Sequence, residues 1–476
     1  MEIRDPVHGF VHLSDAERKI LDSECFQRLR NIRQLGMSYY VYPSAVHTRF
    51  EHSIGTLYVA TQIFEVLVRK HGKYFEKLLG IKGDEANLIK RLRITLRLAA
   101  LLHDIGHPPF SHATEELFPK NRTHEELGVE VIKEKLERVF KQREIKRSGV
   151  NLEDVVFLIY PENVEEISQE DASALYLLRE IISGEIDADR IDYLTRDSHH
   201  TGVIYGKFDY MRLIDTITIV PHVAGKSKTF QEFDIPQQPE PRIGVEFGGL
   251  HTVEGLILAR YFMFLQVYFH HVRRIYDLML TDFLKFTLPD GCYPADVDEY
   301  LEYDDIKVLN SIRDVATGRD SYCKEAKTLA ERLYTRKHPK RILESNRLPL
   351  KIDEFEEEIK NKLQKNFDHL DPYTDIYVDD PRKATTKLTE AEFYVIEDSI
   401  SENLVDYWKF EEIGKLKRKG KIAHIADKSE LIKKLPTIGL IRVYVNLKTK
   451  KDIEEAEKIC RKFYTDWVEE EGGKNG

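Results

Sequence analysis

Cysteine is scarce: Cys25, Cys292, Cys323 and Cys460 are the four in 476 residues. They form no CxxC pair and no dense framework, which excludes a disulfide-stapled scaffold and fits reduced thiols in a cytoplasm. Long apolar runs are missing as well. The richest stretch, GLILARYFMFLQVYF (255–269), contains Arg260 and Gln266 and is too short to span a bilayer. The amino terminus, MEIRDPVHGF, is charged at once and lacks the apolar centre of a signal peptide. No membrane segment and a cytoplasmic location are therefore expected. Basic charge is not in excess either. The net charge of −10 argues against a broad nucleic-acid-binding face, because phosphate contacts need clustered Lys and Arg. An anionic substrate would need its cations concentrated in one pocket.

With 42% hydrophobic and 32% charged residues, the chain is long enough for one large core plus one or two smaller domains. From residue 15 to 290 the periodicity is mostly helical. Ile54, Leu57, Ala60, Phe64, Leu67 and Val68 recur at helical spacing, and Gly72 stands at the C-cap. TITIVPHV and PRIGVEF, between 216 and 250, read as short strands around a Gly/Lys turn. Residues 291–383 are charged and expected to be helical. From 384 to 476 the character is mixed, with LIRVYVN (440–446) a strand followed by a helix ending near Trp467. The reading is a mainly α protein: a helical core over 1–290 with a small β-hairpin insertion, a helical charged region, and a small α+β carboxy-terminal domain.

The apolar run Leu96–Leu102 ends abruptly in LLHDIGHPPFSH (101–112): His103–Asp104, then Gly106, His107, two prolines and His112. Unpaired polar groups are costly at the end of a buried helix. Adjacent helical side chains diverge by roughly 100°, so a chelating pair needs further ligands from elsewhere. His52, in HTRFEHSIG, and Asp189, in EIDADRIDYLTRDSHHTG, are the candidates. Two His and two Asp suit Mn, Fe, Ni or Zn better than a purely hard ion. Singly, each has an ordinary reading: a His–Asp pair on a surface, an acidic stretch as a solvated helix face, and THEE (Thr123–Glu126) as a capping box. HEELG lacks the second His of a zincin, which excludes a metalloprotease.

In this order, RDPVHGF, FQRLRNIRQLGMSYYVYPSAVHTRFEHSIG, LLHDIGHPPFSH, THEELG and IDADRIDYLTRDSHHTGV resemble the HD-domain deoxynucleoside triphosphate triphosphohydrolases, both the vertebrate sterile-alpha-motif/HD type and prokaryotic members. The resemblance covers roughly residues 1–290 and implies an HD-domain core there. Because it starts at residue 1, no sterile-alpha-motif segment is expected. It implies hydrolysis of a dNTP to deoxynucleoside and tripolyphosphate by attack at the α-phosphorus. One divalent ion (Mn, Fe, Ni, Zn or Mg) would sit on His52, His103, Asp104 and Asp189. His124 would be the general acid for the 5′-oxygen, oriented by Glu115, and His107 and His112 would contact phosphate or metal-bound water. Arg49, Arg190 and Arg260 would reach phosphates, with Tyr193 on the same helix face as Asp189 and Asp197. Gln34 and Asp197 would grip the 3′-hydroxyl, while Leu35 and Tyr268 would wall out a 2′-hydroxyl.

Phe264 and Phe269 replace a histidine and a glutamine of vertebrate members, so base preference is not carried over. Asp22, Gln27 and Arg30 match positions that read an activating guanine nucleotide, which implies a dGTP or GTP site between subunits of a homo-oligomer, a dimer or tetramer. Two other functions stay open: an HD phosphohydrolase of nucleoside monophosphates or cyclic nucleotides, and a nucleotide-responsive assembly protein with weak catalysis.

Overall fold

In a computed structural model, the described residues are 1–72, 85–163, 172–222, 240–384, 386–388, 393–401 and 408–473. Regular apolar spacing produces the central helices. α1 (Arg49–His71) starts where the Thr48 N–H donates to Oε1 of Glu51 at 3.0 Å, and it ends at Gly72. It packs side by side with α2 (Glu85–Leu102), burying Leu57, Ala60, Phe64 and Leu67 on one and Leu92, Leu96 and Ala99 on the other. α3 (His124–Val131) opens with the Thr123–Glu126 capping box read from THEE. α4 (Ala172–Ser183) and α5 (Ala188–Thr201) lean on the same pair, and α6 (Leu250–Met263) and α7 (His271–Thr287) complete the helical core.

Small sheets decorate that core. β1 (Glu2–Asp5) and β2 (Gly9–His12) form an antiparallel hairpin. β3 (Ile217–His222) and β4 (Glu240–Glu246), the two short strands expected here, pair antiparallel; the Gly/Lys turn between them lies outside the described residues. Strands β5 (Lys340–Ser345), β6 (Ile376–Asp379), β7 (Arg382–Lys383), β8 (Tyr394–Ile396), β9 (Ile422–His424), β10 (Ile438–Gly439) and β11 (Ile441–Val445) all come from the carboxy-terminal half. β8 adds in parallel to β4 and β9 to β8, so the hairpin becomes a four-stranded sheet ordered β3-β4-β8-β9.

Three strands occur inside the charged stretch expected to be helical: the two-residue β7, and the longer β5 and β6. Both pair antiparallel with β11, in the order β5-β11-β6. Charged residues at the ends of KRILES hide a short strand whose partner lies far along the chain, and long-range pairing overrides local character. This sheet packs with α8 (Ile352–Asn366) and α9 (Lys450–Gly473) around Phe355, Ile359, Leu363, Val443 and Cys460, a second core separate from the first. That core draws on both of the segments read as 291–383 and 384–476, whereas the helices at 305–316 and 324–334 bury into the main one. α9 runs past Trp467 to Gly473.

The last residue of α1 ties it to β3. His71 is 2% exposed; its Nε2 lies 2.8 Å from the Thr218 hydroxyl and accepts from the Ile219 N–H. Burial, and then the Lys70 charge, lower its pKa from 6.5 to about 4. The neutral ring therefore contributes stability fully above pH 6.5, and this is lost as pH falls toward 4, a gap worth about 3 kcal/mol. In denaturant titrations between pH 7 and 4, the native chain should lose about that much more stability than His71→Gln. Parallel curves would show that His71 does not titrate in this way.

Candidate active site

The turn after α2 is shaped by close backbone approach. A Cβ on Gly106 would lie 2.1 Å from the His124 carbonyl and 2.4 Å from the Gly128 nitrogen, so only glycine lets this turn rest on the start of α3. Phe110 and Ser111 follow at φ 60 and φ 57, left-handed positions that side chains seldom adopt and that concentrate at functional sites. Ser111 is held there: its hydroxyl accepts from Arg49 Nε at 2.9 Å and donates to the Arg33 carbonyl at 2.7 Å.

His52 from α1, His103 and Asp104 after α2, and Asp189 from α5 converge. His52 Nε2 lies 2.9 Å from Asp189 Oδ1 and 3.4 Å from Asp104 Oδ2. His103 Nε2 lies 3.4 Å from Asp104 Oδ1 and 3.7 Å from Asp189 Oδ1. The opposite ring nitrogens are already engaged. His52 Nδ1 donates to Asp192 Oδ2 at 2.7 Å, and His103 Nδ1 donates to the Ala100 carbonyl at 2.8 Å. Both Nε2 atoms are thus the ones left to present a lone pair to an ion that displaces their proton; they are buried and lack a hydrogen-bond partner among the described residues. Two anchored imidazoles with free lone pairs beside two carboxylates fit a divalent ion.

The electrostatics point the same way. Burial opposes charge on His52, but Asp189, Asp192 and Asp104 outweigh it and raise its pKa to about 10. Asp104 is held well below the usual carboxylate range against its burial, chiefly by the Arg49 guanidinium, whose Nη1 donates to Oδ2 at 2.7 Å. The cluster is rich in negative charge and attracts a cation.

A second cluster abuts the first. His124 Nδ1 donates to Glu115 Oε1 at 2.5 Å, and His112 Nδ1 to Oε2 at 2.8 Å. The two rings hold the Glu115 carboxylate far below its ordinary pKa, against its partial burial. His107 bridges the clusters: its Nδ1 is 3.2 Å from Asp104 Oδ1 and its ring centroid 3.7 Å from that of His124. Burial first, then the Arg49 and His124 charges, push its pKa well down, which keeps it neutral.

Both clusters open into one cavity of about 540 Å³. Gln34, Leu35, Tyr193 and Tyr268 line it, and Oε1 of Gln34 is buried without a partner. Asp197 lines it too, but its oxygens already accept from His47 Nε2 and the Tyr268 hydroxyl, each at 2.7 Å. Tyr193 meets Tyr268 edge-on at 6.2 Å, and Phe264 meets it at 4.9 Å. Of the expected phosphate ligands, Arg190 is engaged by the Glu185 carbonyl at 2.7 Å, the Glu185 carboxylate at 3.3 Å and Asp187 at 3.6 Å. Arg49 is committed to Asp104, and Arg260 lies 5.4 Å from the Phe264 ring centroid. Asp22, Gln27 and Arg30 lie outside this cavity. Arg30 Nε donates to Gln27 Oε1 at 2.8 Å, whereas Asp22 pairs with Arg18 on the surface.

Several contributors escaped the sequence reading. Asp192, one helical turn past Asp189, anchors His52 and is itself gripped by His8 at 2.6 Å and by two Arg196 nitrogens at 2.9 Å. The signal was its i+3 position from a ligand. His47, which braces Asp197, precedes the HTRFEHSIG capping box. Arg273, Arg382 and Lys383 also line the cavity, the last two from β7, remote in sequence and without a motif.

Residues 49–197 match the HD domain and residues 238–458 the HD-associated region. The chain belongs to the HD superfamily of phosphohydrolases. An uncharacterised protein of Methanocaldococcus jannaschii, MJ1154, is 36% identical over 65% of this chain and 54% of its own. Human deoxynucleoside triphosphate triphosphohydrolase SAMHD1 is 31% identical over 60% of this chain and 44% of its own. The crystal structure of a hypothetical protein from Aquifex aeolicus shares 30% identity at a TM-score of 0.68, over 96% of this chain and 99% of that one. The chain spans about half the length of the curated relatives it matches. Among the described residues no helix is long and apolar enough to cross a membrane.

In this HD phosphohydrolase, replacing His103 and Asp104 together by Ala should remove bound metal, measured by elemental analysis, while circular dichroism keeps most of the helical signal. Full metal retention would contradict the ligand assignment.

Proposed function

We propose that this HD phosphohydrolase cleaves deoxynucleoside triphosphates to deoxynucleoside and tripolyphosphate. The observation that carries the reading is the junction of the His52–His103–Asp104–Asp189 cluster with the Glu115–His124 dyad, in a cavity whose remaining wall is cationic and aromatic. A divalent ion bound by those four residues would supply Lewis-acid polarisation of a phosphate oxygen and a water of lowered pKa.

The chain's own groups do the rest. Water adds to the α-phosphorus as the bond to the 5′-oxygen breaks, and that oxygen needs a proton. Glu115 accepts from Nδ1 of His124, which fixes the tautomer and leaves Nε2 to carry the proton to the leaving oxygen. His107, kept neutral, lies between acid and metal ligands without competing for the proton. Leu35 and Tyr268 flank the sugar, and Gln34, with its unsatisfied carbonyl oxygen, takes the 3′-hydroxyl as a donor.

Product analysis on purified, metal-loaded protein tests the reading across the four dNTPs and matching NTPs. Deoxynucleoside and tripolyphosphate are expected; cleavage of monophosphates or cyclic nucleotides alone would replace it by another HD activity, and no turnover with any metal by an assembly role. His124→Ala should lower kcat by about 10²- to 10⁴-fold with metal content unchanged.

The same reading includes an activating nucleotide at Asp22, Gln27 and Arg30 between subunits of an oligomer. The rate on a single dNTP should rise on adding dGTP or GTP, and identical rates would remove the activator.

A further inference from the structure

The cations that line the cavity are not equivalent. Arg49 is neutralised by Asp104 at 2.7 Å, Arg190 by Glu185 at 3.3 Å, Arg273 by Asp277 at 3.1 Å, and Arg274 by Asp379 at 2.7 Å. Arg382 pairs with Asp380 at 3.1 Å. Lys383, next to it on β7, has no carboxylate partner among the described residues. Its ammonium lies 5.7 Å from the Phe264 ring centroid, on the wall that also carries Arg260. The β7–β10 ribbon holds it there through the pairing of Lys383 with Ile438 and of Arg382 with Gly439.

An ammonium without a carboxylate partner, exposed on the lining of a cavity that also holds Arg190 and Arg260, is free to contact an anion arriving from solution. The His/Asp cluster and His124 define where the cleaved phosphate must lie. Lys383 is on another element, against Phe264, so an anion it holds is a different phosphate of the same chain. We propose that Lys383 anchors the polyphosphate beyond the α-phosphate and so selects triphosphates over monophosphates. The proposal rests on the triphosphohydrolase reading, which it deepens. It makes the HD-associated region a part of substrate recognition, since β7 belongs to residues 238–458.

The test compares metal-loaded native protein with Lys383→Ala and Lys383→Arg. Lys383 is exposed at the backbone ribbon, so neither change removes core packing. Losing one charge-assisted contact should raise KM for a dNTP, and the inhibition constant of inorganic tripolyphosphate, about tenfold in Lys383→Ala. Inhibition by inorganic orthophosphate should stay unchanged, and Lys383→Arg should recover to within about threefold. Unchanged KM and tripolyphosphate inhibition in Lys383→Ala would overturn the proposal, as would an equal loss of orthophosphate binding. If no dNTP is cleaved, calorimetric titration of the metal-loaded proteins with inorganic tripolyphosphate still decides the role of Lys383. A tenfold weaker titration in Lys383→Ala upholds the anchor while the activity reading fails, and equal or absent binding refutes it.

Discussion

The structure depends on how His52 is held. Its Nδ1 is tied to Asp192, a fully buried carboxylate that His8 and Arg196 also grip, and Arg196 reaches on to Asp5 at 2.8 Å. A buried carboxylate survives only when its oxygens are satisfied by strong donors. Here the donors come from the amino-terminal hairpin region, α1 and α5, so one side chain joins three distant pieces of chain. The helix at Gly55 yields space for it: a Cβ there would fall 2.0 Å from Asp192 Oδ1 and 2.2 Å from Arg196 Nη2. Fixing one nitrogen of the imidazole in this way is what turns the other toward Asp104 and Asp189.

From that constraint follows a division of labour among the acids. Asp192 orients and does not face the cavity. Asp104 and Asp189 face it, and Glu115 orients His124 of the second cluster. Arg49 compensates Asp104 through a buried ion pair, which leaves Asp189 as the carboxylate of the cluster without a cationic side chain of Arg or Lys paired to it among the described residues. Phe264, Phe269 and Lys383 also line the cavity.

How much of this the sequence disclosed varied with chemical context. The helical periods around Ile54–Val68 and Leu96–Leu102 appear as α1 and α2, because an apolar stripe that long has few other ways to be buried. The convergence of His52, His103, Asp104 and Asp189 was readable only as a resemblance of ordered motifs, since nothing in the spacing of 52 against 189 implies contact. Asp192 and His47 were passed over because a residue that orients a ligand carries no motif of its own. β5 and β6 were hidden for a parallel reason: short, flanked by charge, and stabilised by the strand read at 440–446 and observed at 441–445, whose partners could not be inferred. Arg382 and Lys383 reach the cavity only because β7 pairs with β10, a contact written nowhere in the local residues.

The contact of Gly106 with the first turn of α3 has a consequence for how such a protein can change. It fixes the spacing of His103 and Asp104 from His124 through main chain on main chain, so side-chain drift nearby leaves that separation alone. The lining at Phe264, Phe269 and Lys383 is instead built of side chains and a two-rung ribbon. A substitution in the turn from His103 to His112 therefore has to respect a main-chain contact, whereas one at Phe264, Phe269 or the ribbon does not.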